Sequence, residues 1–175
     1  YRFNDAASEL YACVWHDVCS WYLEFSKGTL YNDADPAYQQ GARHTLLQVY
    51  NAVIRLMHPI MPFMSEEMWS NLPGTSGFVM NASYPKSDDF PSDKQFLAEV
   101  ETIQAIIVEV RRVRAEMQIP NRQPKTLIAN DVGLLNKHAQ GLKDLCGVHQ
   151  SLAGKKSGVC ATIVVQSQEM YIPLD

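Results

Sequence analysis

Apolar residues at Phe3, Ala7, Leu10, Val14, Val18, Trp21 and Phe25 recur every three or four positions, the period of one helix face. Tyr11, Trp15, Cys19 and Tyr22 add a second stripe beside the first, which predicts a helix central to a bundle. Trp15, Trp21 and Trp69 all fall on apolar stripes and are expected in the core. Gly28 after Lys27 predicts the stop of this helix. Asp35 is the expected cap of a second helix, with Pro36 at its first position. That helix carries Tyr38, Ala42, Leu46, Val49, Val53 and Leu56 and ends at His58-Pro59, because proline disfavours helix at the residue before it. Pro62 opens a short third helix with Met64, Met68, Trp69 and Leu72, stopped by Pro73-Gly74. Residues 73–91 have no period and read as a surface loop, with 80–84 extended. Ser92-x-x-Gln95 matches a capping box. It opens a fourth helix with Phe96, Val100, Ile103, Ile107, Val110 and Met117 on one face, ended by Pro120 and Pro124.

The pattern then changes. Residues 126–129 read as a strand. Asp131 caps a helix with Leu135, His138, Leu142 and Leu145, closed by Gly147. Residues 148–152 make a short strand, and 159–165 with 169–174 a hairpin of β-branched and apolar residues. Its link, Gln166-Ser167-Gln168, lacks the glycine or asparagine of a tight primed turn and predicts a looser loop. The expected fold is mainly α: a helical bundle over residues 1–119, then a small α+β unit over 120–175.

The chain has 175 residues, 46% hydrophobic and 19% charged, an ordinary globular composition. No stretch approaches the ~20 apolar residues of a membrane span. A first residue Tyr1 and a strand-like end at 171–175 suggest a piece of a longer protein. The net charge of −4 argues against a general nucleic-acid binder. Its distribution changes that picture: residues 1–91 carry 5 basic and 10 acidic groups, but 111–156 carry 9 basic against 3 acidic. One end of such a dipolar chain can face phosphates. Cys13, Cys19, Cys146 and Cys160 form no CxxC pair, so neither zinc nor a disulfide framework is expected.

Catalytic chemistry is not legible. Gly147 and Gly154-Lys155-Lys156 have the wrong spacing for a phosphate-binding loop, and Lys156 stands where Ser or Thr holds magnesium. No H-E-x-x-H, G-x-S-x-G or G-x-G-x-x-G occurs. No catalytic residue and no metal site is expected. Glu66-Glu67 are adjacent on a helix and point about 100° apart. One of them is read as a charge favoured by the helix N-terminus.

Three segments in order carry more information. They are Trp15-His16-Asp17-Val18-Cys19-Ser20-Trp21-Tyr22-Leu23-Glu24, then residues 55–69 with His58-Pro59, Pro62-Phe63, Glu66 and Trp69, then Val110-Arg111-Arg112-Val113-Arg114-Ala115-Glu116-Met117. Together they resemble the C-terminal part of class I aminoacyl-tRNA synthetases. The His-Pro-x-x-Pro-Phe-x-x-Glu-x-x-Trp segment is shared by the isoleucine, leucine and valine enzymes; the other two are most similar to the valine branch. Gln118-Ile119-Pro120, Ser20 and Ser167 depart from the family pattern. The resemblance implies a helical anticodon-binding domain over 1–119 and an α+β junction over 120–175, ahead of a coiled-coil arm. It implies a cytoplasmic, monomeric parent that attaches valine to its tRNA with ATP and magnesium in a catalytic domain outside this chain. No cofactor is implied in the chain itself. The partners implied are the anticodon stem-loop of a valine-specific tRNA and the parent's catalytic domain. The alternatives are the isoleucyl or leucyl enzyme, or a helical protein-interaction module with no RNA role.

RNA loops are recognised by stacking splayed bases on aromatic or guanidinium planes, with cations on phosphates. On the resemblance, the candidate tRNA contacts are Arg111, Arg112 and Arg114 on the fourth helix, Arg43 and His44 on the second, and Arg122 and Lys125 in the loop after the fourth. Arg111 and Arg114 share a helix face and Arg112 points elsewhere. Arg55 is expected in a structural pair.

Overall fold

The computed structural model describes residues 2–31, 35–120 and 123–174. They form two compact units, 1–91 and 92–175.

The first unit begins with one continuous helical run. It comprises α1 (Phe3–Ala12), a π-helical stretch (Cys13–Tyr22) and α2 (Leu23–Tyr31). In the middle stretch the backbone bonds i→i+5: Leu23 N–H donates to Val18 O, and the Ser20 hydroxyl reaches Trp15 O at 2.8 Å. Each such turn takes one residue more than an α-turn, so faces read at 3.6 residues do not carry through it. Of the expected stripe only Val18 is buried, and Trp15 is 55% exposed, against the core position expected for it. Trp21 is half-buried beside Phe25, with ring centroids 6.0 Å apart, and Trp69 is buried. Gly28 does not stop the helix, which runs on to Tyr31. A single helical glycine costs about 1 kcal/mol, too little to end a packed helix.

The α3 helix (Pro36–Met57) starts as expected: the Asp35 carboxylate accepts from Ala37 N–H at 2.9 Å, with Pro36 in the first turn. It packs against α2 and against α4 (Pro62–Asn71). Ile54, Trp69 and Val79 form the core there, flanked by Met68, Leu72 and Ala82. Residues 73–91 form a loop, as expected, with two 3₁₀ turns, Val79–Asn81 and Ser87–Asp89; the first takes Met80 and Asn81 out of the stretch 80–84 expected to be extended, while Ala82 is extended.

The second unit is a helix-on-sheet layer. Its α5 helix (Lys94–Glu116) is capped by Asp93, whose carboxylate accepts from Phe96 N–H at 3.0 Å. The cap therefore lies one residue beyond the Ser92 expected. The strands are β1 (Lys125–Ala129), β2 (Val148–Ala153), β3 (Cys160–Val165) and β4 (Gln168–Pro173), in the order β2-β1-β4-β3. The pair β1–β2 is parallel; β4 runs antiparallel to β1 and to β3. The crossover from β1 to β2 is two helices, α6 (Gly133–Lys137) and α7 (Ala139–Cys146), where one was expected. The break is at His138. Asp131 accepts from Gly133 N–H at 2.8 Å, and Gly147 ends α7 at φ 69°.

Ile103, Ile106, Ile107, Val110 and Val113 of α5 are buried, as are Leu127, Ile163, Met170 and Ile172 of the sheet. Alternation is clear on β3, where Ala161, Ile163 and Val165 are buried and Thr162 and Val164 exposed. Packing thus groups α5 with the sheet.

Val165 pairs with Gln168, so only Gln166 and Ser167 form the β3–β4 turn. Both have positive φ, 49° and 66°. The turn is tight, not loose, and it holds two L-residues in the left-handed region. Left-handed backbone costs a non-glycine residue about 1–2 kcal/mol. Glycine there gives back part of that gain as unfolded-state entropy. Ser167→Gly is therefore expected to stabilise the chain by roughly 0.5–1 kcal/mol, read from the denaturant midpoint. An unchanged or lower midpoint would show that the turn stores no strain.

His138 supplies a pH-dependent term. Its Nε2 is buried without a hydrogen-bond partner among the described residues, 4.0 Å from the Glu99 carboxylate that Lys137 occupies. The Phe96 ring lies 6.5 Å away. Burial, and then Lys137, hold the imidazole below its ordinary value, against the opposing pull of Glu99. On acidification the unfolded chain takes up this proton first. The His138 contribution is thus complete above about pH 6.5 and is lost as pH falls towards the folded value. Denaturant midpoints measured at pH 7.5 and 5.5 should fall more for the native chain than for a His138→Gln variant. Equal falls would remove His138 as a source.

Candidate nucleic-acid interface

The angular position of each arginine on α5 follows from the buried seam. Ile103, Ile107 and Val110 step by four and three, and the next step of four lands on Arg114. At 100° per residue, Arg114 lies about 40° from Val110, Arg111 about 100° and Arg112 about 200°. Arg114 accordingly sits inside, 2% exposed. Its Nη2 donates to Pro120 O and to Gln123 O, the latter at 2.9 Å, while Nε and Nη1 are buried without partners among the described residues. The guanidinium thereby ties the chain leaving α5 back onto the helix. Met117, expected on the buried face, is half exposed as the helix ends.

Arg111 is exposed, and its Nε donates to Leu145 O at 2.8 Å, satisfying a last-turn carbonyl of α7. Arg111 and Arg114 both lie close enough to the Cys146 thiol to lower its pKa. Burial is the larger effect and pushes that thiol up to about 11. Arg112 faces the other way. It bridges Glu109 and Glu116 at 2.7 Å each, and these carboxylates raise its already high pKa further. Lys125, expected in a loop, opens β1 and is 8% exposed, with Nζ 3.3 Å from Pro173 O. Arg122 lies outside the described residues.

In the first unit Arg43 and His44 are adjacent and exposed on α3, with no ion pair or hydrogen bond among the described residues. Within Pro36–Met57 the charged residues are Arg43 and Arg55, with no acid. Arg55 is structural as expected, donating to Asn51 O at 3.3 Å and Ser83 O at 2.9 Å. Several aromatics of this unit are exposed, among them Phe63, Phe78 and Tyr84. Tyr11 and Trp15 stack on each other, 6.3 Å apart and 10° from parallel, on a stretch with Glu9 and Asp17 but no Lys or Arg. Tyr31 and Tyr38 are 82% and 73% exposed beside the basic helix. Sequence reasoning placed Tyr38 on the apolar stripe; its position in the first turn, next to a capping Asp-Pro, was the available sign that it could face solvent.

The residues of the His-Pro-x-x-Pro-Phe-x-x-Glu-x-x-Trp segment build a corner. His58 Nδ1 lies 2.8 Å from the hydroxyl of Ser65, which is fully buried and within 2.8 Å of Met61 O. The Glu66 carboxylate accepts from Val79 N–H at 3.0 Å and Met80 N–H at 3.2 Å. Glu66 thus pins a turn, where a charge at a helix N-terminus was expected. Trp69 Nε1 donates to Ser76 O at 3.4 Å.

A cavity of about 360 Å³ lies between α5, the start of α6 and the β3–β4 turn. Part of its polar lining is engaged: Glu99 with Lys137, Thr102 with Gln166, Asp131 with Gly133; Gln95 and Gln168 also line it. Among the described residues no helix is long and apolar enough to cross a membrane.

The described residues therefore form helices and a small sheet that carry a few solvent-facing cations and aromatics. The family described as "Anticodon-binding domain of tRNA ligase" matches residues 1–129, and the chain belongs to it. The match crosses the junction of the two packed units and ends with β1. More particularly, the chain is similar to proteins named valine–tRNA ligase. That of Geobacter sulfurreducens is 40% identical over 187 residues, covering 99% of this chain and 21% of the relative. That of Desulfotalea psychrophila is 31% identical over 182 residues, 99% of this chain and 20% of the relative. That of Syntrophotalea carbinolica is 42% identical over 122 residues, 69% and 14% respectively. The chain thus spans about a fifth or less of the curated relatives it matches.

The arginine geometry has a direct test. Arg114→Ala should cost about 2–3 kcal/mol, since it removes two charge-assisted bonds and the packing of a buried side chain. Arg112→Ala, losing only exposed pairs, should leave the midpoint unchanged within error. Equal effects of the two substitutions in denaturant unfolding would contradict the assigned interiors and surfaces.

Proposed function

We propose that this chain is the anticodon-binding part of a valine–tRNA ligase and binds the anticodon stem-loop of a valine-specific tRNA. The observation that carries this reading is the family match over residues 1–129, joined to relatives named valine–tRNA ligase that align along 99% of the chain. In this reading the parent attaches valine to tRNA in the cytoplasm as a monomer. Its ATP and magnesium are bound by a catalytic domain outside these residues. Residues 1–119 carry RNA contacts and 120–175 join the module to the rest of the protein.

Among the candidate contacts, the exposed and unneutralised cations support an RNA role best. These are Arg43 and the solvent-facing end of Arg111; the exposed His44 imidazole adjoins Arg43 as a hydrogen-bonding group. Arg112 is already neutralised, and Arg114 and Lys125 are interior, so their part is to shape the surface.

The chain should bind a valine-type anticodon stem-loop, with affinity falling about tenfold or more between about 50 and 200 mM salt, as counterion release at several phosphates requires. An unrelated stem-loop of equal length should bind more weakly at the same salt. Equal binding of the two in fluorescence anisotropy would remove sequence readout, and absence of salt dependence would remove the phosphate contacts.

A further inference from the structure

Among the described residues three buried side-chain polar atoms lack a hydrogen-bond partner: two nitrogens of Arg114 and Nε2 of His138. Arginine stays charged throughout, so His138 is the one of the two residues that changes state near neutrality. It sits at the break between α6 and α7. The Glu99 carboxylate of α5 stands 4.0 Å from its Nε2, just beyond hydrogen-bond reach. The same oxygen, Oε2, already accepts from the Lys137 ammonium at the end of α6. One acceptor atom therefore lies between two donors that are neighbours in the chain. Lys137 has a second partner at hand: its Nζ is 6.0 Å from the centroid of the Phe96 ring, at the reach of a cation–π contact.

The next charges on these elements are placed elsewhere. Lys94 and Glu101 of α5 are exposed and lie about 140° and 160° round the helix from Glu99. Asp131, ahead of α6, accepts from Gly133 N–H. On α7, Asp144 accepts from the Gln140 amide, and Lys143 is exposed. Besides burial, Lys137 and Glu99 are the groups that move the titration of the His138 ring.

We propose that Glu99 changes partner with pH: it holds the Lys137 ammonium while His138 is neutral and takes the Nε2–H of His138 once the ring is protonated, releasing Lys137 to water and the Phe96 face. The proton comes from solvent and stays on His138. The exchange gives the unpaired nitrogen a charge-assisted bond and moves away the positive charge that opposes protonation. Burial and Lys137 hold the ring below its ordinary value, so the Lys137-bound state is the one at neutral pH. Acidification moves the tie between α5 and the crossover from the last residue of α6 to the joint between the two helices. Glu99 also lines the cavity beside α5, so the carboxylate on that wall has two positions, one for each state of His138.

NMR on the 175-residue chain tests the exchange. The Cε and Nζ resonances of Lys137 should shift along the titration curve of the His138 ring, and should stay flat through that range in a His138→Gln variant. Competition for one oxygen also shows in His138 itself. Lys137→Met should move the His138 midpoint upward, by at least about twofold more in the native background than in Glu99→Gln, where no carboxylate is left to win. Plain repulsion between Lys137 and His138 gives the same shift in both backgrounds, and that result would overturn the exchange. Lys137 resonances that ignore His138 in the native chain would overturn it as well, with no variant involved.

Discussion

The buried seam of α5 is the constraint on which the second unit depends. Ile103, Ile106, Ile107, Val110 and Val113 leave water almost completely, each side chain contributing roughly 1.5–3 kcal/mol. No surface interaction in this unit competes with that sum, so the seam alone sets the rotation of the helix about its axis. Once it is set, the arginines have no choice of environment. Arg114 is drawn inside and must find carbonyls. Arg111 lands at the rim, where α7 offers its last-turn carbonyl. Arg112 is left on the far side with Glu109 and Glu116. A cluster that looks like one basic patch in the sequence is three residues with three different surroundings.

The first unit is organised at its corner by polar satisfaction more than by volume. Ser65 is fully buried and Glu66 half-buried, and each has its hydrogen-bonding capacity answered locally. A buried polar group left unpaired costs about 1–3 kcal/mol, so the alternatives to this corner are strongly penalised. The segment that carries the family resemblance is thus read here as architecture. Its His, Ser, Glu and Trp fix where α3 turns into α4 and where the following chain docks.

Helix starts were legible wherever a cap and a proline coincided, as at Asp35-Pro36, because the chemistry is local. The same holds for Gly147, whose left-handed φ a sequence pattern can foresee. Boundaries set by competition were not legible. Gly28 is a stop signal overridden by packing, and His138 breaks a helix whose periodicity runs straight through it. The π-helical stretch defeats periodicity outright, since its own turn length moves Trp15 off the stripe that 3.6 residues per turn assign it. The burial of Arg114 was available in its spacing of four from Val110, which continues the apolar face of α5. The tight turn at Gln166-Ser167 was illegible for a different reason: strand pairing on either side forces two residues into a backbone they do not favour.

For a binding module, these placements divide the labour in a definite way. Cations spent on the scaffold, such as Arg114 and Arg112, cannot also hold phosphates, because their donors are committed or their charge is cancelled. Residues left uncommitted on rigid helices lose little freedom on binding, which is where preorganised surfaces gain affinity. Arg43 and His44 meet that condition, on a helix with no acid of its own to cancel them. The overall negative charge of the chain is then no obstacle to RNA. At a Debye length of about 8 Å in physiological salt, a phosphate on α3 responds to the side chains of that helix and hardly at all to acids several turns away.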